Sequence, residues 1–423
     1  MKRLAIIGSG IAGLGCAHFL QRDYEVTLFE KNDYVGGHTN TVEAEEADRL
    51  IPIDTGFMVF NKQTYPLLTH FFETLEVKIK PAPMSFSVKH TDRNIEFCGS
   101  SINHLFAQRR NLLRPSFYRL IAAINRFNKE ATEFVNNPQV YDITLNEFVT
   151  KRGYGKDFFD LYLVPMSSAV WSTPPELMLE FPAGTLLRFF YNHGFLGLNT
   201  QHPWFTVEGG SKTYIKKILN NSNINVRLNT KIKSIHRGAT EIKIISETGD
   251  VFYCDNIILA SHADQALKMI ADPLPEETRL LSEFKYQTNQ ATLHNDESVM
   301  PKTRLAWSSW NYEIARGSQK NQSTAIHYWM NSLQGVSNKK NYFVSINRPE
   351  AIDPVKVIKR IQYEHPLFSV GAINAQKQLP ELNTYALTTS KTFFAGSYFK
   401  YGFHEDAFGS AVALSQLLLK KKI

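Results

Sequence analysis

The stretch MKRLAIIGSGIAGLGC, residues 1–16, sets Gly8, Gly10 and Gly13 in the spacing G-x-G-x-x-G directly behind an apolar run, Leu4 to Ile7. The spacing alone is weak, and its flanks decide what it means. RLAII before the glycines has the character of a buried strand, and IAGLGCAHFLQRD after them places Leu14, Ala17, His18 and Leu20 at helical spacing. A second strand, YEVTLFE, ends on Glu30, seventeen residues past Gly13. In such a βαβ unit a backbone stripped of side chains approaches a pyrophosphate at a helix N-terminus, and the acid ending the second strand binds the adenosine ribose. The loop therefore predicts a dinucleotide site made of Gly8, Gly10, Ile11, Ala12, Gly13, Glu30 and Lys31.

Bulk properties bound the rest of the chain. A single core usually stops growing near about 250–300 residues, so 423 residues imply two domains. With 43% hydrophobic and 21% charged residues the composition is that of a soluble globular protein, and no apolar stretch of about 18 residues could span a bilayer. The apolar run before the glycines is too short for an export signal and reads as mature structure. Cys16, Cys98 and Cys254 are odd in number, far apart and free of any C-x-x-C pair, which argues against a disulfide framework and a thiolate metal site and fits a reducing cytoplasm. The net charge of +7 is uneven, with Arg109, Arg110, Arg114, Arg119 and Arg126 in one segment. The cluster reads as a solvated basic face or as contact with an anionic partner, a membrane surface or an acyl carrier; no nucleic-acid motif accompanies it.

The residues after Glu30 separate flavin from nicotinamide. In KNDYVGGHTNT, Gly36 and Gly37 are followed by His38, Thr39 and Thr41, which resembles the flavoprotein extension G-G-R-x-x-T with His38 in place of the usual Arg. IPIDTGFMVFN then supplies Asp54, Gly56 and Phe57 in a D-x-G element similar to that of flavin amine oxidases and carotenoid desaturases.

Farther along, MSFSVKH and NIEFCG alternate around a polar turn as a hairpin would, and a long helical region runs from Ile102 to about Tyr191, with a capping box at Thr144–Glu147 and a stop at Gly194. Nucleotide-domain character returns at FTVEGGSKTYIKKIL, with the strands INVRLN and KIKSIHR and the buried strand DNIILAS ending near His262. The chain closes with KTFFAGSYFKYGFHEDAFGSAVALSQLLL, read as a strand, Gly396, a polar aromatic loop and a helix opened by Gly409, Ser410 and Ala411. This order resembles the flavin-containing amine oxidoreductase superfamily, which includes monoamine oxidases, protoporphyrinogen oxidase and phytoene-type desaturases. The resemblance implies an α/β fold: a Rossmann-type FAD-binding domain of residues 1–61, 200–262 and 390–423, interrupted by an α+β substrate domain of residues 62–199 and 263–389. It extends the FAD contacts to Gly36, Gly37, His38, Thr39, Gly56, Phe57, Ile232, Gly396, Ser397, His404, Glu405 and Ala411, and implies no metal.

LHNDESVMP, LAWSSWNY, HYWMNSLQ, YEHPLF and GFHEDAFGS are more particular. Together they resemble a branch of NAD/FAD-binding proteins associated with methyltransferases of the cyclopropane-fatty-acyl synthase type, which implies a methyltransferase partner and flavin chemistry on an acyl chain or lipid. A flavin takes a hydride at N5, so the protein supplies position, a dry pocket and, where a double bond forms, a base. His404, Glu405 and Asp406, placed by the resemblance in a loop beside the flavin, are the candidate ionisable cluster, with pyrophosphate or loop hydrogen bonding as the alternative. His294 and His327 come next, although a lone histidine among aromatics is more often a satisfied core residue. Trp307 and Trp310 read as core or pocket lining, and Lys302 either as the lysine amine oxidases keep near N5 or as a solvent-exposed turn. Three readings stay open: a cytoplasmic, peripherally membrane-bound FAD-dependent desaturase or oxidase of a lipid; an amine or other small-molecule oxidase; and a non-catalytic flavoprotein partner of a lipid methyltransferase.

Overall fold

The structure is a computed structural model describing residues 1–141, 143–197, 200–220, 222–316 and 322–423. β1 (Lys2–Ile7) and β2 (Tyr24–Phe29) run parallel, with Leu4 opposite Val26 and Ile7 opposite Phe29, and α1 (Ile11–Leu20) connects them. Three more parallel strands complete a sheet in the order 225–227, β2, β1, 256–259, 392–394. A parallel sheet is stable only when both faces are covered. Alternation along β1 meets that need: Leu4 and Ile6 enter the large core that contains α1, and Ala5 and Ile7 enter a second core with Ile235, Ile244 and Phe284.

α1 is buried on nearly every side, which is why it has no polar stripe. The closing helix (His404–Leu419) lies directly against it: a Cβ added at Gly15 would sit 3.0 Å from the Cβ of Ala411 and 3.1 Å from the Phe408 ring. This helix starts at His404 rather than at Gly409, which corrects the sequence reading. Phe403 is extended, and Asp406, in the first turn, accepts a hydrogen bond from the Phe403 N–H at 2.9 Å, so the turn closes five residues earlier than the glycine suggests.

The second large element is a seven-stranded sheet in the order 357–367, 285–294, 343–346, 322–329, 310–316, 86–90, 95–98, antiparallel throughout except where 310–316 meets 86–90. The hairpin of MSFSVKH and NIEFCG pairs His90 with Ile95 in this sheet. The long helical region is not one run but a set of short helices, among them Ile102–Leu105, Pro115–Phe134, Leu145–Arg152 and Ala183–Asn192. Thr144 and Glu147 form the expected capping box, and Gly194, at φ +70°, ends the region where any Cβ would meet the Thr200 carbonyl oxygen. Among the described residues no helix is long and apolar enough to cross a membrane.

On the face of this sheet away from Trp310 and Tyr328 runs a buried polar chain. His294 Nε2 and His327 Nδ1 share the Ser345 hydroxyl at 2.7 and 2.6 Å, and His327 Nε2 lies 3.3 Å from Glu313, which also binds Lys89 and Arg348. Burial pushes His294 down to about 3 and lowers His327. His193, His365 and His404 are likewise pushed down by burial, to about 4, 4 and 3.

These shifts set the acid stability. The unfolded chain takes protons on these rings below the ordinary histidine value, whereas the folded chain stays neutral until about pH 3–4, so their contribution is complete above about pH 6.5 and is lost as pH falls toward 4. Asp406, raised to about 7 by burial, opposes this, as do Asp54 and Glu405, also raised by burial, but these three carboxyls stand against five lowered histidines. Tm should fall from pH 7 to pH 5 with proton uptake on unfolding; a Tm constant over that interval would show that the rings are already charged in the fold.

Candidate functional site

A continuous cavity of about 840 Å³ is lined by both the parallel and the seven-stranded sheets. Ligand pockets span about 300–1,000 Å³, so it has room for a large ligand. Its polar end is built at the end of β1. Gly8 turns with φ +105°, and its oxygen lies 1.9 Å from where a Cβ at Gly13 would stand, so the helix starts in contact with the strand. Gly10 faces the cavity with nothing within 4 Å of an added Cβ, and neither a side-chain cap nor an acidic residue occupies the first turn of α1. The N–H groups of that turn are thereby left for an anion.

Glu30 lines the same wall. Its Oε2 accepts from the Ser9 N–H at 3.0 Å and the Ser9 hydroxyl at 2.5 Å, and its Oε1 accepts from the Asn32 N–H at 2.9 Å. A carboxylate has about four acceptor positions, so Oε1 keeps one open. Ser9 Oγ also accepts from Gly36 N at 3.2 Å and so joins the first glycine motif, the acid and the glycine pair. Sequence reasoning passed over Ser9, because position x of the motif is unconstrained by spacing.

The D-x-G element acts through packing. Asp54 accepts from the Thr41 hydroxyl, the Ser211 N–H and hydroxyl and the Gln334 amide, and ties the second glycine turn to the first domain segment. A Cβ at Gly56 would meet the His38 oxygen at 2.2 Å, where the Phe57 N–H donates at 2.7 Å.

Of the sequence-predicted cofactor residues, Gly8, Gly10, Ile11, Ala12, Glu30, Lys31, Gly36, Gly37, His38, Gly56, Phe57, Ile232, Gly396, Ser397 and His404 line the cavity. Gly13, Thr39, Glu405 and Ala411 do not. Gly13 is the contact with Gly8, Thr39 binds the Tyr214 hydroxyl, and Ala411 packs on Gly15.

The candidate cluster His404, Glu405 and Asp406 is split by the helix it starts. Successive helical residues point about 100° apart, so only His404 turns inward. Its ring stacks on Phe57 at 3.9 Å, and its Nε2 lies 2.7 Å from the Tyr214 hydroxyl. Glu405 instead accepts from the Leu67 and Leu68 N–H groups, both at 2.9 Å, at the start of α2 (Pro66–Thr74). Asp406 caps its own helix. His294 belongs to the polar chain behind the sheet, not to the cavity. Lys302 is exposed in a turn whose N–H binds Glu96, Trp307 meets Trp329 edge to face with the Arg304 guanidinium over its ring, and Trp310 alone of these joins the cavity wall.

Two wall residues that sequence reasoning did not single out, Tyr363 and His365, lie two apart on one strand and so share a face. Tyr363 stacks on His38 at 4.7 Å, and His365 Nδ1 lies 2.7 Å from the Asn289 amide nitrogen. The stretch YEHPLF carried the only signal of them, a tyrosine and a histidine at period two before a proline.

A sequence profile of the flavin containing amine oxidoreductases matches residues 11–312. The chain belongs to that family. The cofactor of this flavin-containing amine oxidoreductase is FAD. A 1-hydroxycarotenoid 3,4-desaturase of Flavobacterium sp. is 54% identical over 44 residues, 10% of this chain and 9% of that protein. A farnesylcysteine lyase of Arabidopsis thaliana is 24% identical over 301 residues, 62% of this chain and 58% of that protein. The chain thus spans less than two thirds of the curated relatives it matches. Among solved structures, a CLA-producing fatty acid isomerase from P. acnes has TM-score 0.67 at 15% identity, over 99% of this chain and 98% of that one. Cyclohexylamine oxidase from Brevibacterium oxydans has TM-score 0.69 at 14% identity, over 99% of each chain. These two share the fold.

The residues present fit FAD. Gly10 leaves open space before uncapped N–H groups, Glu30 keeps an acceptor beside them, and His38 has a buried Nε2 with no partner among the described residues. The α1 N-terminus would hold the diphosphate and Glu30 the ribose.

Two outcomes test these placements. Glu30→Ala should weaken FAD retention about tenfold or more, since a hydrogen bond to a charged group is worth about 1.5–3 kcal/mol; unchanged retention, read by titration of the apoprotein with FAD, would remove Glu30 from the ribose. Glu405→Ala should lower stability by about 1–3 kcal/mol through loss of the two bonds to α2, with FAD per folded molecule preserved. Loss of FAD at an unchanged Tm would return Glu405 to the cofactor site.

Proposed function

We propose that the protein is an FAD-dependent oxidoreductase of a fatty-acyl or similar long apolar substrate. One observation carries this reading. The cavity wall contributed by residues 84–86, 166–204 and 310–346 includes Met84, Phe86, Met166, Trp171, Trp310 and Ile346 and contains no Asp, Glu, Lys or Arg. Its histidine, His193, is kept neutral at pH 7 by burial, with Nδ1 on the Phe189 oxygen and Nε2 on the Thr64 hydroxyl. Such a wall binds by removing apolar surface from water and offers no counter-charge to an ammonium or a carboxylate. The charged lining residues, Glu30, Lys31, Lys231, Lys233, Glu247, Lys268 and Glu364, come from other segments. The activities of a carotenoid desaturase and a fatty acid isomerase among the similar proteins support the same substrate class.

Bound FAD supplies a two-electron acceptor. The chain's own residues exclude water from the apolar end and line the cavity with several imidazoles, those of His38, His193, His262, His365 and His404. The closing helix contributes His404. Burial pushes its ring down to about 3, so it is a neutral base at pH 7. The Tyr214 hydroxyl holds Nε2, and Nδ1 has no partner among the described residues, which makes Nδ1 the atom able to take a proton from a substrate carbon or to orient the chain.

The test is anaerobic. Long-chain acyl lipids should bleach the visible absorption of the bound flavin, and polyamines or aromatic amines should not; bleaching by amines alone would make this an amine oxidase. His404→Gln should retain FAD and slow bleaching about 100-fold or more, the usual range for a lost general base. If the variant loses FAD while its rate per bound flavin is unchanged, His404 holds the cofactor rather than the proton.

A further inference from the structure

Residues 101–119 form the strongest unexplained surface. The short helix Ile102–Leu105, the turn Arg109–Leu113 and the start of the helix Pro115–Phe134 fold over strand 95–98. Phe106 and Phe117 point inward, with ring centres 5.5 Å apart, and Phe117 meets Phe97 at 5.4 Å. The outward side chains are large and apolar: Ile102 is 79% exposed, Leu112 46%, Leu113 87% and Tyr118 49%. One exposed leucine needs no explanation, but four large apolar side chains on one short segment do.

The segment is also uniformly basic. From residue 97 to residue 129 there is no Asp or Glu, while Arg109, Arg110, Arg114 and Arg119 are interleaved with the apolar residues. Among the described residues none of these four is paired with a carboxylate. Internal bonds hold the segment together: the Arg109 guanidinium donates to the Asn103 side chain and the Phe106 oxygen, and the Tyr118 hydroxyl donates to the Leu112 oxygen.

We propose that this surface docks the protein on an anionic lipid bilayer, with Leu112 and Leu113 entering the headgroup boundary and Arg110, Arg114 and Arg119 facing the phosphates. Apolar insertion and charge attraction are the two terms of interfacial binding, and both are present on this one segment. A specific protein partner needs about 800 Å² of matched surface per side and carboxylates for the arginines, whereas a bilayer needs no matched shape. Nucleic acid would use the arginines and leave Leu113 and Ile102 unused. The same segment covers strand 95–98, the neighbour of strand 86–90 whose Phe86 lines the apolar end of the cavity, so a lipid would be met on that side of the molecule. The inference does not rest on the substrate assignment.

The experiment uses the FAD-bound full chain and vesicles of phosphatidylcholine with or without phosphatidylserine. The wild type should co-sediment with the anionic vesicles only, and less so as salt rises. Arg114→Gln with Arg119→Gln should lower partition about 25-fold, roughly fivefold per charge. Leu113→Ser should weaken binding without changing its salt dependence. Because Cys16, Cys98 and Cys254 are all buried, Leu113→Cys offers a single exposed thiol for a polarity-sensitive dye, which should report an apolar surrounding on vesicle binding; the same dye at Asp48→Cys should not. FAD content and Tm of each variant should match the wild type. Failure of the wild type to bind anionic vesicles overturns the proposal, as does undiminished binding by the arginine and leucine variants. Self-association that Leu113→Ser abolishes, without vesicle binding, overturns it in favour of a second copy of this chain.

Discussion

The carbonyl oxygen of Gly8 occupies the place that a side chain at position 13 would need, and the rest of the site depends on that contact. Because position 13 has only a hydrogen, α1 begins against the end of β1 instead of a turn away from it. Its first N–H groups then open on the cavity beside Glu30. Two residues further, Gly15 allows the closing helix to lie close on α1, and His404 is the first residue of that helix. Two contacts made at glycines, the farther joining residues nearly four hundred apart in sequence, thus bring the polar end of the cavity and His404 together.

Three neighbouring acid-base residues illustrate how helix geometry assigns work. His404, Glu405 and Asp406 look like one cluster in sequence, yet the first turn of a helix sends them toward the cavity, toward α2 and back onto the helix's own N-terminus. Two of the three therefore satisfy backbone donors at helix N-termini, which have no partner within their own helix. What remains in the cavity is a neutral imidazole between Phe57 and Tyr214, whose depressed basicity comes from burial alone.

The seven-stranded sheet divides its side chains in a comparable way. Trp310, Tyr328 and Ile346 face the cavity, while Asn311, Glu313, His327 and Ser345, one residue out of phase, form the polar chain behind it. A shift of one residue in pairing would exchange the two faces, giving the cavity a charged wall and leaving aromatic rings among arginine and lysine. The register of this sheet is thus what keeps the apolar end apolar, and the mutual satisfaction of His294, His327, Ser345 and Glu313 holds that register in place.

The sequence by itself determined the local units: the strand, glycine loop, helix and acid of residues 2–30, the hairpin of 86–98, the capping box at Thr144, and the reach of the family likeness over most of the chain. These are legible because period, turn chemistry and close backbone approach leave marks on neighbouring residues. It also showed the basic segment near Arg109. The start of the closing helix was misread, since Gly409 resembles an opening while the real signal, Asp406 reaching back to Phe403, spans only one turn. Only the tertiary structure decided which polar residues share a space. Ser9 with Glu30 and Gly36, His38 with Tyr363 and His365, and His404 with Phe57 and Tyr214 meet across separations of up to more than three hundred residues, and no period in a sequence records which distant strand a side chain will face. Exposure followed the same rule: Leu113 and Phe117 are both apolar and four residues apart, and it is the packing of Phe117 on Phe97 that turns one inward and leaves the other in the solvent.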